Sequence, residues 1–300
     1  MINRNLSILV AAAAVVSSCT APRVINQSGM VTPKGNFTGG ASYTANLPTA
    51  TTGLLWDVAA QTITEVANKD SISVDEALKR INKAAIGYGV DPIGTGYDFY
   101  LRYGLFDKFE IGYKLAGTAN VFMTQYQFLT PYEAGEEPAD GLHGSIGLQY
   151  SFQNFDMPDK LEALSSRLGY KFKRKDFLVP VIFSYAFGRD EKYGSIAFGM
   201  AYSYSHINYT TLPDRVFDAN GNPVFGVQNK QGYSAFGGFL NLKLGYKYVY
   251  VIPAFSMFYQ NYGSYRLIDG SSFSMKGLTI VPSISLQLTT GNAIKRKRAE

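Results

Sequence analysis

Residues 195–205 read Ser-Ile-Ala-Phe-Gly-Met-Ala-Tyr-Ser-Tyr-Ser. Every second side chain is bulky: Ile196, Phe198, Met200, Tyr202 and Tyr204. Those between are small: Ser195, Ala197, Gly199, Ala201, Ser203 and Ser205. A period of two places the two sets on opposite faces of a β-strand. In a water-soluble sheet the face away from the core carries Lys and Glu. Neither face of this strand carries a charge.

The same alternation recurs along the chain. Phe236, Leu240, Leu242 and Leu244 oppose Asn241 and Lys243. Leu278, Ile280, Pro282, Ile284, Leu286 and Leu288 oppose Thr279, Ser283, Ser285 and Gln287. Ile146, Leu148, Tyr150 and Phe152 oppose His143, Ser145, Gln149 and Ser151. Phe177, Val179, Val181, Phe183 and Tyr185 share one face. A bulky face toward lipid and a small polar face toward a lumen is the pattern of a membrane-spanning barrel. It predicts ten strands, near 36–47, 94–105, 109–117, 119–129, 142–153, 177–187, 193–208, 232–246, 248–260 and 274–288. The expected fold is all-β: a closed antiparallel up-and-down transmembrane β-barrel over 35–288. An even strand number returns the C-terminus to the side where the first strand starts, as a periplasmic lipid anchor needs. Pro180, Pro253 and Pro282 fall inside strands, where a missing N–H marks a bulge or a broken ladder.

Composition agrees. Charged residues make up 17% of the 300 and aromatics 14%, against about 25% charged in an ordinary soluble domain. After the N-terminus no apolar run is long enough for a membrane helix. Tyr97, Tyr113, Tyr150, Tyr185, Tyr246 and Tyr259 lie toward strand ends, as aromatic girdles do. The body resembles the broad porin-like outer-membrane β-barrel superfamily, a generic likeness that identifies no subfamily. The last strand ends at Leu288 without the terminal aromatic that many such barrels carry. A soluble, lipid-anchored β domain binding an apolar ligand is the alternative, because a sandwich also alternates.

Residues 1–18 read as a signal peptide, with Arg4 ahead of the apolar run Leu6–Val16. The run ends in Val16-Ser17-Ser18-Cys19, which resembles the lipobox of bacterial lipoproteins. That resemblance implies palmitate or similar acyl chains on Cys19 and localisation to the bacterial outer membrane, since Thr20 rather than Asp follows. Cys19 is the sole cysteine, so it has no partner for an internal disulfide. Residues 19–34 read as a lipidated linker. Net charge is +5, or about +4 once Arg4 is removed, which argues against nucleic acid.

Three connections are long. Residues 48–93 read as two helices. Leu54, Leu55, Val58, Thr62 and Val66 share one helical face. A Ser73–Glu76 capping box precedes Val74, Ala77, Leu78, Ile81 and Ala85. This insertion is expected to be an external cap, a lumen plug or a periplasmic element. Residues 154–176 read as a loop with a short helix over Pro158–Leu168 and a basic run at Lys171, Lys173, Arg174 and Lys175. Asn220-Gly221 suggests a projecting hairpin within 209–232. Lys295–Arg298 closes a basic tail over 289–300, solvated or bound to anionic headgroups.

Candidate site residues form a lumen polar cluster: Asp98, Arg102, Glu110, Lys114, Gln149 and Lys243. Folding the second and third strands together brings Arg102 near Glu110 and Asp98 near Lys114. Such pairs either fill the lumen or line a path for a small solute. His143 and Ser145 share a face, an arrangement that resembles outer-membrane lipid A deacylases. His206 with Asp214 nearby resembles the rim pairs of ten-stranded outer-membrane proteases. No third group accompanies either pair, and no metal-ligand or phosphate-loop spacing is present. The expected role is therefore non-enzymatic and cofactor-free: a narrow solute channel, or a structural or surface-binding protein. An outer-membrane hydrolase is the alternative. Outer-membrane lipid is the expected partner.

Overall fold

The computed structural model describes residues 22–57, 74–131, 140–156, 171–210, 228–267 and 269–290. Ten antiparallel strands close into an up-and-down barrel, each paired with its sequence neighbours and β1 with β10. They are β1 (Phe37–Pro48), β2 (Gly94–Phe106), β3 (Phe109–Ala116), β4 (Ala119–Leu129) and β5 (Gly141–Asp156), then β6 (Lys171–Phe187), β7 (Gly194–Thr210), β8 (Gln228–Tyr246), β9 (Val249–Arg266) and β10 (Ser272–Thr289). The turn between β3 and β4, on which the even count depends, is the pair Gly117-Thr118. Gly117 takes φ 58° there, a conformation glycine adopts without strain.

Over the middle of the barrel the outward face of the strands is mostly bulky and apolar. On β7, Ile196, Phe198, Met200, Tyr202 and Tyr204 are exposed, while Ser195, Ala197, Ala201, Ser203 and Ser205 are buried. The mid-strand prolines interrupt the ladder without shifting it. Pairing of β5 with β6 stops at Ile146↔Val181 and resumes at Gln149↔Leu178, skipping Pro180. The same gap flanks Pro253 between β8 and β9, and Pro282 between β1 and β10. A lost N–H donor accounts for each gap.

The barrel has two unlike ends. β1 begins and β10 finishes at the terminal end, where β2–β3 and β8–β9 are joined by two-residue turns. The opposite, cap end carries the insertion after β1. Its described parts are α1, over 49–57, and α2, Val74–Val90. The Ser73–Glu76 box and Val58, Thr62 and Val66 lie outside the described residues, as do Pro158–Leu168, Asn220-Gly221 and the basic tail.

Three strands run further at the cap end than the alternation predicts. β6 starts at Lys171, so the basic run is strand, not loop; β8 starts at Gln228 and β9 continues to Arg266. The cause is a change of pattern. Phe172, Ile207, Tyr209, Tyr233, Tyr262 and Tyr265 face inward there and pack beneath Ala85, Ile86 and Val90 of α2. The helix thus fills the mouth of the barrel, and the wall rises to hold it. Lys79 of α2 adds an exposed ion pair of 3.0 Å with Asp269 in the β9–β10 connection.

Removing a ring packed under the cap should cost what a buried aromatic usually costs. Phe172→Ala is expected to lower unfolding free energy by about 3–5 kcal/mol. Lys173→Ala, one residue on and pointing outward, should stay within about 0.5 kcal/mol. Urea unfolding in detergent micelles measures both, and equal effects would mean that the mouth is not packed.

Candidate functional site

Ten strands about 4.8 Å apart, tilted about 40°, give a backbone radius of roughly 10 Å. Small inward side chains leave a lumen wide enough for one more extended chain. Residues 22–33, expected to be part of a linker outside the fold, occupy it. At the terminal end Lys34 bridges to Gly104, and Gly35 donates to the Gly104 carbonyl at 2.8 Å. From there the segment climbs along the axis as a plug. Pro22, Arg23, Val24, Ile25, Gln27, Ser28, Gly29, Val31 and Thr32 are buried.

The wall supplies the partners that the plug backbone lacks. The Thr32 N–H donates to Glu110 at 2.7 Å, and the Val31 N–H to Gln127 at 3.2 Å. The Gly29 N–H donates to Ser184 at 2.9 Å. Gln125 donates to the Ser28 carbonyl at 2.7 Å. Asn241 donates to the Gln27 carbonyl at 2.9 Å and Lys114 to that of Val24 at 3.3 Å. Ile25 packs against Ala197, Ala201 and Ala235. The small face of 195–205 is the groove this residue fills. At Gly29 the chain passes so close to the wall that a Cβ would sit 2.6 Å from the His143 carbonyl oxygen.

The plug ends at the most charged point of the interior. Arg23 Nη1 lies 3.0 Å from Asp91 Oδ2, both groups being buried. Asp91, just after α2, also accepts from Asn46 at 2.8 Å, Tyr262 at 2.6 Å and Gln260 at 3.0 Å. Burial opposes its charge, yet Arg23 and the nearby Arg174 hold its carboxyl below the ordinary carboxylate range. Arg174 bonds Asp176 at 2.7 Å, Tyr233 at 2.8 Å and the Val90 carbonyl at 2.7 Å. Plug, cap and wall therefore meet in one polar knot.

The six residues of the expected lumen cluster are all buried in the interior, but at several levels. Arg102 lies 3.4 Å from Glu110. Lys243 pairs instead with Glu191 at 2.7 Å, and Gln149 donates to Gln27 at 3.2 Å. Asp98 and Lys114 form no direct hydrogen bond, and Lys114 is drawn to the plug. His143 Nδ1 lies 3.0 Å from Gln127, whereas Ser145 accepts from Gln125 at 2.8 Å. The plug passes in front of both. His206 is on the outer face, half-buried, and Asp214 is outside the described residues. Among the described residues no group of three metal-ligating side chains occurs.

Two small cavities lie beside the plug among the described residues. A cavity of about 60 Å³ lies beside the plug toward the terminal end, against Thr32, Arg102, Glu191, Lys243 and Gln287. Another of about 10 Å³ lies beside Pro22. These two volumes hold a few waters. Sequence reading missed the plug because 20–34 has no periodicity. The signal was on the wall: a face of Ser, Ala and Gly along β7 that needs something to fill it.

No family model and no curated protein matches the chain. Solved barrels resemble it distantly. Ail of Yersinia pestis aligns with 85% of this chain and 99% of its own, at 8% identity and TM-score 0.31. OprG of Pseudomonas aeruginosa aligns with 88% and 99%, at 9% identity and TM-score 0.32. These likenesses are to the barrel form alone.

Breaking the Arg23–Asp91 contact leaves a buried charge unpaired, so Asp91→Asn should cost about 3–5 kcal/mol near pH 7. The folded carboxyl titrates below its unfolded value of about 4. Its contribution is thus complete above that value and is lost as pH falls through the folded one. The gap between wild type and variant should close on acidification, in urea unfolding followed across pH. A gap that persists in acid would separate the stability loss from the charge.

Proposed function

We propose that the protein is a bacterial outer-membrane β-barrel, anchored in addition by acyl chains on Cys19, with a non-enzymatic role. Its lumen is shut, and it acts as a structural or surface-binding protein through its cap end. The observation that carries this reading is the plug, which lies along the axis with only small cavities described beside it.

Three features support the membrane location. The outer face is apolar at a level common to many strands. Met200 and Phe236 are 74% and 68% exposed. Leaving two thirds of a phenylalanine in water forgoes about 1–2 kcal/mol of burial. The belt has the right height. Outward apolar positions run from Phe177 to Tyr185 on β6 and from Val249 to Tyr259 on β9. Nine to eleven residues at about 3.3 Å, tilted about 40°, span roughly 23–28 Å, against about 25 Å for a barrel belt. Above it the pattern inverts on neighbouring strands. Lys175, His206, Ser234 and Asn261 face out, and Phe172, Ile207, Tyr233 and Tyr262 face in. That inversion is what a strand does on leaving lipid for water. The three longest connections lie at the cap end, and two of the four at the terminal end are two-residue turns, an asymmetry that corresponds to outside and periplasm in such barrels.

A narrow channel is the second reading, favoured by one constraint. Two residues, Thr20 and Ala21, separate Cys19 from Pro22, and the three Cα–Cα steps reach at most about 11 Å. Pro22 sits beside Leu178 and Ser203, and Ser203 is nine residues above Gly194, the terminal start of β7. That is roughly 23 Å of height. An acyl chain on Cys19 and a seated plug cannot both serve the leaflet at the terminal end. A periplasmic anchor pulls the plug out and opens the lumen. With the plug seated, the anchor belongs at the cap end.

Acylation is expected to vanish in Cys19→Ser, read by incorporation of radiolabelled palmitate. Planar-bilayer recording of the unacylated barrel should give a closed baseline. Gly29→Trp, or deletion of 22–32, should give discrete openings. Steady openings in the unacylated wild type would reject the shut-lumen reading in favour of the channel.

A further inference from the structure

On the outer wall at the cap end, β5, β6 and β7 form a groove enclosing about 530 Å³, against Phe152, Asn154, Lys173, Lys175, His206 and Asn208. We propose that this groove binds the phosphate groups of an outer-leaflet lipid, the acyl chains lying against the apolar belt directly below. The inference rests on the membrane reading above.

The placement is set by strand register. Lys175 pairs across with Phe152 on one side and His206 on the other, and Lys173 with Asn154 and Asn208. Lys230 lies opposite Asn208 on β8, and Lys171 continues the outward row on β6. Four lysines and a histidine thus gather on three adjacent strands. Asp156 pairs with Lys171 in the register and Asp176 faces inward, so the site is centred on Lys173 and Lys175. Among the described residues neither lysine forms an ion pair. Asn154 and Asn208 flank them as further hydrogen-bond donors.

The height matters as much as the charge. Phe177 and Tyr204 pair with each other and end the belt. Lys175 is one outward position above Phe177 and Lys173 two, or roughly 5 and 10 Å along the barrel axis. This is the headgroup layer, not open water. The outward stretches below, Phe177–Tyr185 on β6 and Ile196–Tyr204 on β7, carry no charge. A phosphate at the lysines therefore leaves its acyl chains on apolar wall. A soluble anion would gain the charges and forfeit that wall, so charge and belt together select a phosphorylated lipid.

The test uses the full-length barrel in detergent. Native mass spectrometry reads binding of bisphosphorylated lipid A, of the same lipid A stripped of phosphate, and of inorganic pyrophosphate. The bisphosphorylated lipid should bind at least tenfold more tightly than the stripped one. Lys173→Ala/Lys175→Ala should abolish that preference, and Lys276→Ala, outward on β10, should leave it intact. Lys173→Glu serves as a second variant should the double alanine lose its heat-dependent gel mobility. Equal binding of the two lipids, or indifference to both groove variants, would overturn the proposal. Pyrophosphate binding as tight as lipid binding would also overturn it, by making this a soluble-anion site. Flotation with zwitterionic vesicles separates the failures. A barrel that floats without phosphate preference defeats this inference alone, and one that does not float defeats the membrane reading too.

Discussion

A ten-stranded barrel has an interior that its own small side chains do not fill. Small residues on the inner wall avoid crowding but leave a gap, and that gap is lined with amides, hydroxyls and charges that tolerate no dry neighbour. Water would satisfy them, and so would peptide. This chain uses its own N-terminal segment, whose backbone offers what Glu110, Gln125, Gln127, Ser184 and Asn241 require. The Arg23–Asp91 pair fixes how far the segment rises. Asp91 joins the end of α2 to β2, so one carboxylate holds plug and cap in the same place. Removing either would expose the other's buried charge.

The strand positions were legible because the outer face has one chemistry over the height of the apolar belt. Uncharged alternation as long as that at 195–205 or 278–288 fits a strand between lipid and lumen far better than a helix or a solvated sheet. The strand starts and ends mostly agree with it within one or two residues. Where the apolar belt ends, the rule that made the strands readable stops applying. At 171–176 the outward side chains are lysines and the inward ones are Phe172 and Arg174, a pattern that reads as a basic loop. It is strand because Phe172 has a helix to pack against, and that helix lies eighty residues away in sequence.

The site was legible one residue at a time and not as a whole. That Asp98, Arg102, Glu110, Lys114, Gln149 and Lys243 face inward follows from phase alone. Their partners do not, because several bond to a segment with no pattern of its own. Lys114 is the clear instance. Charge complementarity across a hairpin pointed to Asp98, but a buried carbonyl, that of Val24, lay closer. Extended peptide inside a barrel leaves no periodic trace, since it contacts wall on every side.

The height of the wall adds a last constraint. β3 has eight residues and β4 eleven, whereas β6 to β10 have seventeen to nineteen. The barrel rim is therefore low at Gly117-Thr118, and Pro22 lies against Val121, two residues into β4 from that low turn. A chain leaving Pro22 toward the cap end meets its lowest barrier there, beside the outer belt formed by Tyr97, Tyr113 and Phe122. The other exit requires the plug to give up its backbone partners and Arg23 to leave Asp91. On energetic grounds the seated plug and a route over the β3–β4 turn belong together, whereas an anchor at the terminal end belongs with an empty lumen. For the proposed acyl chains on Cys19, position and the state of the lumen are one variable, set by the two residues between Cys19 and Pro22.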